Sequence, residues 1–346
     1  MNFSNLLLQW YLQHKRDLPW RKTQSPYLIW LSEIMLQQTR VAQGLPYYLL
    51  FVDAFPSVVD LANASEEQVL KLWQGLGYYS RARNLHFTAK HVAYNLNGIF
   101  PTNYNDLLKL KGVGEYTAAA IASFAYNESV PVVDGNVFRV LSRYFDIETD
   151  IASAAAKTEF TDLAKQLIFE TNNPAAFNQA IMEFGALQCV PKSPNCGVCI
   201  FNSSCLALRN KKVALLPVKL KKTKVTNRFF NYIVLRDQSN NTEIMQRVDK
   251  GIWQHLYQFP IIETDVEEEV ELIKTKINTF YHHKIIKSIV PYNSGTIIHK
   301  LSHQRLHINF FEVEILEQVE NGLSIENLKK FPFPIVIYNF IEKYLK

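Results

Sequence analysis

Four cysteines lie within seventeen residues of this 346-residue chain, and the chain has no others. Cys189, Cys196, Cys199 and Cys205 are separated by six, two and five residues. Soft thiolates gathered in one short loop are typical ligands of a zinc ion or of an iron–sulfur cluster. The spacing leaves both alternatives open. Between the first two cysteines, Lys192 stands among prolines in a stiff loop that can present its charge to a phosphate.

Two glycines mark a second candidate site, in the segment Leu110–Thr117 between two helical patterns. Gly112 and Gly114 permit a tight reversal of the chain. The helix that follows begins with free N–H groups and the positive end of its dipole, which together attract anions. We interpret the segment as a phosphate-binding hairpin, although an ordinary helix connection gives a similar pattern. Further along, Asp134 stands at another helix start.

The composition indicates a globular protein of two domains. Hydrophobic residues make up 48% and charged residues 20% of the chain, and a typical domain has roughly 100–200 residues. No apolar run approaches the ~20 residues of a membrane-spanning helix, and the N-terminus lacks a basic signal-peptide start, so we expect a cytoplasmic location. The net charge is +6 in residues 1–225 and −1 in residues 226–346. This balance fits a nucleic-acid partner, but on charge alone solubility is the simpler explanation.

Helical patterns dominate before residue 211, and short β-rich runs follow residue 226. Ser25 and Pro26 are typical of a helix start. Six lysines and Pro217 in residues 211–227 predict an extended basic linker between domains at 1–210 and 228–346. The acidic run at 267–271 predicts a solvated helix face. The predicted helices cover 3–14, 27–36, 41–52, 66–73, 80–95, 104–110, 116–126, 136–144, 153–170 and 175–186, and the predicted strands cover 229–235, 243–247, 285–290, 295–300 and 306–313.

The motifs have the order of a known family. The hairpin sequence LKGVGEYTAAAIASFAY, then VVDGNVFRV, then the cysteine loop, resemble the helix-hairpin-helix DNA glycosylases related to endonuclease III. Upstream, WLSEIMLQQT from Trp30 and GLGYYSRARNL from Gly75 resemble the adenine DNA glycosylases of the MutY type. The resemblance runs from about Leu6 to Cys205 and continues more weakly beyond. It implies an α-helical domain whose cysteine loop, residues 189–205, holds one [4Fe–4S] cluster.

Breaking the bond between adenine and deoxyribose C1′ requires two carboxyl groups in different protonation states. Glu33 is the candidate acid, because Ile29 and Leu36 make its helix face largely apolar and burial raises a carboxyl pKa. The resemblance implies that Glu33 protonates N7 of adenine and that Asp134 stabilises the sugar cation. It also implies that Asn136 orients Asp134 or the attacking water. From the residues alone, an arginine partner for Glu33 and ordinary helix caps at Asp134 and Asn136 remain alternatives.

Tyr116 stands in the hairpin where the endonuclease III branch carries a lysine that attacks C1′ as an amine. The resemblance therefore implies a monofunctional glycosylase; packing against the hairpin is the alternative role. Some relatives carry Glu at the position of Gln179, and some carry Lys at the position of Phe138.

The target base must leave the duplex before excision. The resemblance assigns insertion near the lesion pair to Leu36, Gln38 and Tyr78, and the adenine pocket to Arg16, Leu18, Trp20 and Arg21.

The C-terminal part resembles an α+β Nudix-like fold, most clearly in Gly251–Pro260. The glutamate-rich box with which Nudix hydrolases hold Mg²⁺ is absent, so this part is expected to bind and not to hydrolyse. Ser302 and His303 resemble the loop that reads 8-oxoguanine in the family, and Leu301 replaces its usual Phe. A surface turn is the alternative interpretation of this pair.

The resemblance implies hydrolytic removal of adenine opposite 8-oxoguanine or guanine in double-stranded DNA. We expect a monomer that acts in the cytoplasm at the nucleoid, without a membrane partner. An endonuclease III-like lyase acting on oxidised pyrimidines is disfavoured by Tyr116 and the extra domain. A non-catalytic DNA-binding protein is disfavoured by Glu33 and Asp134 together, and a Nudix hydrolase by the missing box.

Overall fold

The computed structural model describes residues 2–220 and 224–344. The chain divides into two compact units, Met1–Asn63 with Asn84–Lys221, and Ala64–Arg83 with Lys222–Lys346. The helices are α1 (Phe3–His14), α2 (Pro26–Leu36), α3 (Val41–Ala54), α4 (Val58–Asn63), α5 (Glu66–Leu72), α6 (Tyr79–Asn95), α7 (Tyr104–Leu107), α8 (Glu115–Tyr126), α9 (Gly135–Phe145), α10 (Ala154–Phe169), α11 (Pro174–Leu187), α12 (Leu206–Arg209), α13 (Val270–Phe280) and α14 (Ile335–Tyr344).

The first unit is helical and is built around helix α11. This helix packs against α1, α8 and α9, while α2 packs against α8. Aromatic side chains fill the core between α1, α9, α10 and α11, among them Trp10, Phe160, Phe177 and Phe184. Their burial stabilises the arrangement, since each large apolar side chain contributes about 1.5–3 kcal/mol when removed from water. The packing brings the starts of α8 and α9 and the middle of α2 into one unit.

The first part of the predicted linker packs against the first unit and is not extended. Lys212 forms ion pairs with Asp146 and Glu148. Arg143 donates from Nε to the carbonyl of Leu216 at 3.0 Å, and the Leu216 side chain is buried. Residues 221–223 of the predicted linker lie outside the described residues.

The second unit contains a mixed β-sheet. The strands are β1 (Thr226–Arg236), β2 (Asn241–Thr242), β3 (Met245–Gln246), β4 (Tyr257–Gln258), β5 (Ile261–Thr264), β6 (Ile286–Pro291), β7 (Ile297–Lys300), β8 (Gln304–Ile315) and β9 (Leu323–Ser324). The longest strands, β1 and β8, run parallel in full register, and β5 pairs antiparallel with β1. Strands β6 and β7 both pair antiparallel with β8. Helix α13 packs against the sheet through Ile273 and Ile277.

The acidic run at 267–271 is not a helix face, contrary to the prediction. Helix α13 begins only at Val270, with Glu269 at its N-cap and Glu271 in its first turn. Glu268 lies before the helix and pairs with Lys276 at 2.6 Å. The run thus places negative charge at the helix start, where the dipole favours it.

Residues 64–83 belong to the second unit because their side chains bond to it. Glu66 contacts His255 Nδ1 at 2.5 Å, and Arg83 donates to the carbonyl of Gln254 at 2.7 Å. The sequence division had assigned this segment to residues 1–210. None of the helices within the described residues is long and apolar enough to cross a membrane.

Candidate active site

Glu33 lies in helix α2 and is only 6% exposed. Tyr116 donates its hydroxyl hydrogen to Glu33 Oε2 at 2.7 Å. Burial raises the pKa of Glu33 to about 7; the hydrogen bond from Tyr116 and the charge of Arg21 lower it, and the negative charge of Asp134 raises it. A neutral carboxyl group is therefore available near pH 7, as general acid catalysis requires.

Tyr116 lies in the first turn of α8 and remains protonated. Burial raises its pKa well above the usual value, and the neighbouring Glu33 and Asp134 raise it further. The phenol is therefore a fixed hydrogen-bond donor to Glu33. Because Asp134 influences the pKa of both groups, the three residues that the sequence singled out share one site.

Asp134 is the N-cap of helix α9. Its Oδ1 accepts from the backbone N–H groups of Asn136 and Val137, each at 2.8 Å, and its Oδ2 accepts from Asn136 Nδ2 at 2.7 Å. Burial raises the pKa of Asp134, against the lowering effect of these hydrogen bonds and of Arg139. The structure confirms that Asp134 caps helix α9. The same contacts fix the direction in which the half-buried carboxylate points.

Arg139 orients Asn136, a role the sequence analysis missed. Its Nη2 donates to Asn136 Oδ1 at 2.8 Å and to the carbonyl of Gly185 at 2.6 Å, while its Nε donates to the carbonyl of Cys189 at 2.7 Å. Gly185 is required at this position, because an added Cβ would lie 2.6 Å from Asn136 Cβ. The start of α9 is thereby held against α11 and the first cysteine.

Two residues of the predicted adenine pocket, Arg16 and Arg21, meet at Glu183. Both guanidinium groups reach Glu183 Oε2 at 2.6 Å. Glu183 is buried, which alone would raise its pKa, but hydrogen bonds from Arg21 and Arg16 lower it to about 2. The other two pocket residues, Leu18 and Trp20, are buried. The sequence analysis missed Glu183, whose charge within an apolar helix pattern was the available signal.

The glycine hairpin forms as predicted, with a shorter first helix. Helix α7 ends at Leu107, and Gly112 adopts a φ of +78°, which favours glycine. An added Cβ at Gly112 would lie 2.8 Å from Asn84 Cβ. Gly114 is the N-cap of α8, and nothing lies within 4 Å of an added Cβ there. The space over the start of α8 is therefore open to a ligand.

Leu36 and Gln38 differ in accessibility. Leu36 ends helix α2 and packs against Gly44, where an added Cβ would lie 2.8 Å from Leu36 Cδ2. Gln38 is exposed and has a φ of +55°. Lys192 of the cysteine loop is also exposed. Gln38 and Lys192 are therefore accessible to a macromolecule, whereas Leu36 is half-buried.

In the second unit, Tyr78 and Ser302 contact each other through their hydroxyl groups. Ser302 and His303 form the tip of the turn between β7 and β8, which the hydrogen bond from Leu301 N to Gln304 O closes at 2.8 Å. Tyr78 is 41% exposed and has a φ of +48°. Sequence reasoning gave these residues separate roles, and it offered no sign that two of them would touch.

The four cysteines line one cavity of about 440 Å³, counting its part open to solvent. Burial raises the pKa of Cys196, Cys199 and Cys205, and the neighbouring thiols raise it further. The thiols therefore lie close enough to interact electrostatically. Within the described residues, no three His, Cys, Asp or Glu side chains are arranged to hold a single metal ion. Four thiols around one cavity are a donor set that fits a thiolate-bound metal group.

Two family models match the chain. One, described as "HhH-GPD superfamily base excision DNA repair protein", matches residues 31–166, and one described as "NUDIX domain" matches residues 231–343. The adenine DNA glycosylase of Buchnera aphidicola subsp. Schizaphis graminum is 36% identical over 329 residues, which covers 95% of this chain and 91% of that protein.

Two solved structures have a similar fold. A thermostable thymine-DNA glycosylase superposes with a TM-score of 0.55 at 29% identity, over 60% of this chain and 95% of the other. A non-covalent endonuclease III–DNA complex superposes with a TM-score of 0.52 at 19% identity, over 60% and 94% of the two chains. The helix-hairpin-helix fold and the Nudix-like C-terminal domain expected from the sequence are thus confirmed.

Proposed function

Because the chain belongs to the adenine DNA glycosylase family, we propose that this base excision repair enzyme removes adenine paired with 8-oxoguanine or guanine in double-stranded DNA. One observation carries the proposal: a buried carboxyl group whose pKa is raised to about 7 shares a site with a carboxyl group at a helix N-terminus. These are Glu33 and Asp134. The two groups supply the two protonation states that glycosidic cleavage requires.

Glu33 acts as the general acid. Its Oε2 accepts from Tyr116, so the proton of the neutral carboxyl group is carried by Oε1, which donates it to N7 of the flipped adenine. Protonation makes adenine a better leaving group, and acid catalysis of this kind contributes about 10²–10⁴-fold. Tyr116 thus selects the oxygen that reacts.

Asp134 stabilises the sugar cation that remains after adenine departs. Burial raises the pKa of Asp134, while three hydrogen bonds and the start of α9 act in the opposite direction and favour its ionised form. Asn136 holds Oδ2, and Arg139 in turn holds Asn136. Water then completes hydrolysis. No amine stands at position 116, so the product is an intact abasic strand and the enzyme is monofunctional.

The second unit recognises the base opposite adenine, and excision depends on this recognition. 8-Oxoguanine differs from guanine by an N7–H donor and an O8 acceptor, and a hydroxyl group can bond to either. Ser302 and His303 lie exposed at a turn tip, and Tyr78 contributes a second hydroxyl beside Ser302. A good bidentate pair of hydrogen bonds contributes about 1–3 kcal/mol of discrimination against the wrong base.

The DNA backbone is bound by the first unit. The open start of α8 at Gly112 and Gly114 can accept a phosphate, and Lys192 can approach a second one as an exposed cation. Gln38 and Leu36 fill the space left by the flipped base. Leu18 and Trp20 form the apolar part of the adenine pocket, which Arg16 and Arg21 support through Glu183.

The four cysteines hold one [4Fe–4S] cluster. The donor set fits, because four thiols surround a cavity and Arg143 lies beside them, with Nη1 3.4 Å from Cys189 Sγ. Cys189, Cys196, Cys199 and Cys205 would hold the loop 189–205 together through such a cluster, and hydrolysis of the glycosidic bond would need no electron transfer from it. We also propose that the protein acts as a monomer on DNA at the nucleoid.

Excision assays on defined duplexes test the proposal. The protein is incubated with duplexes that contain adenine opposite 8-oxoguanine, adenine opposite guanine, adenine opposite thymine, or thymine glycol, and each is analysed with and without alkali. We expect alkali-dependent breaks at adenine in the first two duplexes. Breaks at thymine glycol without alkali would instead indicate an endonuclease III-like lyase.

A further inference from the structure

The side chain of Asn178 is buried in helix α11, with 1% of the residue exposed. Its Oδ1 accepts from the backbone N–H of Val132 at 3.0 Å. Its Nδ2 donates to the carbonyl of Val130 at 2.8 Å and to Ser123 Oγ at 2.9 Å. One amide group therefore makes three hydrogen bonds to two different parts of the chain.

The two parts that Asn178 joins carry residues of the proposed active site. Val130 and Val132 belong to the segment that leads from helix α8 into Asp134, and this segment is neither helix nor strand. Ser123 lies in α8, the helix whose first turn holds Tyr116. Asn178 thus ties the approach to Asp134 to the helix of Tyr116.

We propose that Asn178 is a positioning residue for excision, which fixes the segment 130–133 and through it the place of Asp134 relative to Tyr116. The proposal rests on the catalytic role proposed for Asp134. Backbone groups of a buried, irregular segment must find partners outside regular ladders, and Asn178 supplies one acceptor and two donors at a single point. This combination explains why an amide stands on an otherwise apolar helix face.

Other residues at position 178 fail for definable reasons. Alanine leaves the N–H of Val132 and the carbonyl of Val130 without these partners. Aspartate keeps the acceptor but loses both donors, and it buries a carboxylate near the carbonyl of Val130. In both variants the segment is free to shift, and a displacement of about 1 Å of a catalytic group can cost about 10²-fold in rate.

The test compares excision with binding in the full-length protein. Asn178→Ala and Asn178→Asp are assayed under single-turnover conditions on a duplex with adenine opposite 8-oxoguanine. We expect the excision rate to fall at least about tenfold in both, while the Kd for the duplex stays within about threefold of wild type. Ser123→Ala breaks the bond to α8 but leaves both bonds to the segment in place, so its rate is expected to lie between those of wild type and Asn178→Ala.

A matched control separates positioning from general destabilisation. Leu167→Ala removes a buried side chain of α10 in the core of the same unit. All variants are assayed at a temperature at which each is fully folded, so an effect of stability alone would appear equally in this control. Hydrogen exchange adds a local readout: the Val132 amide should lose protection in both Asn178 variants and keep it in Leu167→Ala.

The outcomes of these assays either contradict the proposal or separate it from the role of Asp134. Normal excision by both Asn178 variants, or a loss no larger than that of Leu167→Ala, contradicts the proposal. If Asn178→Ala does not fold, the isosteric Asn178→Asp carries the same comparison. Asp134→Asn, measured beside them, separates the catalytic role of Asp134 from the positioning role of Asn178. If Asp134→Asn excises normally, the role of Asp134 is wrong, whatever the Asn178 variants do. If Asp134→Asn loses excision while the Asn178 variants excise normally, the positioning role of Asn178 is refuted and the role of Asp134 is not.

Discussion

The raised pKa of Glu33 has a consequence for stability that Glu33→Gln should reveal. Burial raises this pKa from 4.5 to about 7, so the folded protein binds the proton more tightly than the unfolded chain. The contribution of Glu33 to stability is therefore fully present below about pH 4.5 and is lost as the pH rises to about 7. Ionising the group in place costs about 3 kcal/mol at higher pH, since one pKa unit corresponds to about 1.4 kcal/mol.

Glutamine is neutral at every pH and can still accept the hydrogen bond from Tyr116. The variant should therefore avoid this cost. We expect Glu33→Gln to exceed wild type in free energy of unfolding by about 1 kcal/mol at pH 5 and about 3 kcal/mol at pH 8.5. Urea denaturation followed by circular dichroism at these two pH values measures the difference.

The control is Glu159→Gln, which changes an exposed glutamate in α10. Its effect on the free energy of unfolding should stay within about 0.5 kcal/mol, as is typical of exposed substitutions. A constant difference between wild type and Glu33→Gln across this range would refute the account of Glu33 as a buried acid. The excision rate of wild type should also fall as the pH rises above about 7, where the acid form is lost.

Three further predictions concern the other parts of the proposed site. Tyr116→Lys should form covalent complexes with DNA that borohydride traps, because an amine would then stand beside C1′; efficient trapping by wild type contradicts monofunctional action. Replacing Ser302 and His303 by Ala should lower the ratio of excision rates on adenine opposite 8-oxoguanine and opposite guanine, measured at one salt concentration; an unchanged ratio places recognition elsewhere. Protein purified without oxygen should contain about four irons per chain and lose them in Cys199→Ser; stoichiometric zinc without iron contradicts the cluster.

Local sequence signals predicted the helical unit well. Helix α1 has the predicted bounds, and α2 begins at Pro26 with Ser25 capping it, because caps and apolar periodicity depend on neighbouring residues. The second unit was less predictable. Strand β5 exists through its pairing with β1, which no local pattern encodes. Helix α14 begins with β-branched residues from Ile335, whose strand propensity is overridden by packing.

In the candidate site, too, local features could be predicted from the sequence and long-range contacts could not. Glu33 and Asp134 could be singled out by residue type, setting and family resemblance. Their supports could not, because each depends on contacts between distant parts of the chain. Glu183 meets Arg16 across 167 residues, and Asn178 reaches Val132 across 46. Tertiary packing alone decides which polar side chains of an apolar helix become partners of catalytic groups.

The central claim is that Glu33 and Asp134 perform bond cleavage and do not merely bind DNA. Its most direct test is single-turnover release of adenine from a duplex with adenine opposite 8-oxoguanine, by wild type, Glu33→Gln and Asp134→Asn, with the Kd of each measured on the same duplex. We expect both variants to bind within about threefold of wild type and to release no measurable adenine. Near-normal release by either variant, at full binding, would contradict the role assigned to that carboxyl group.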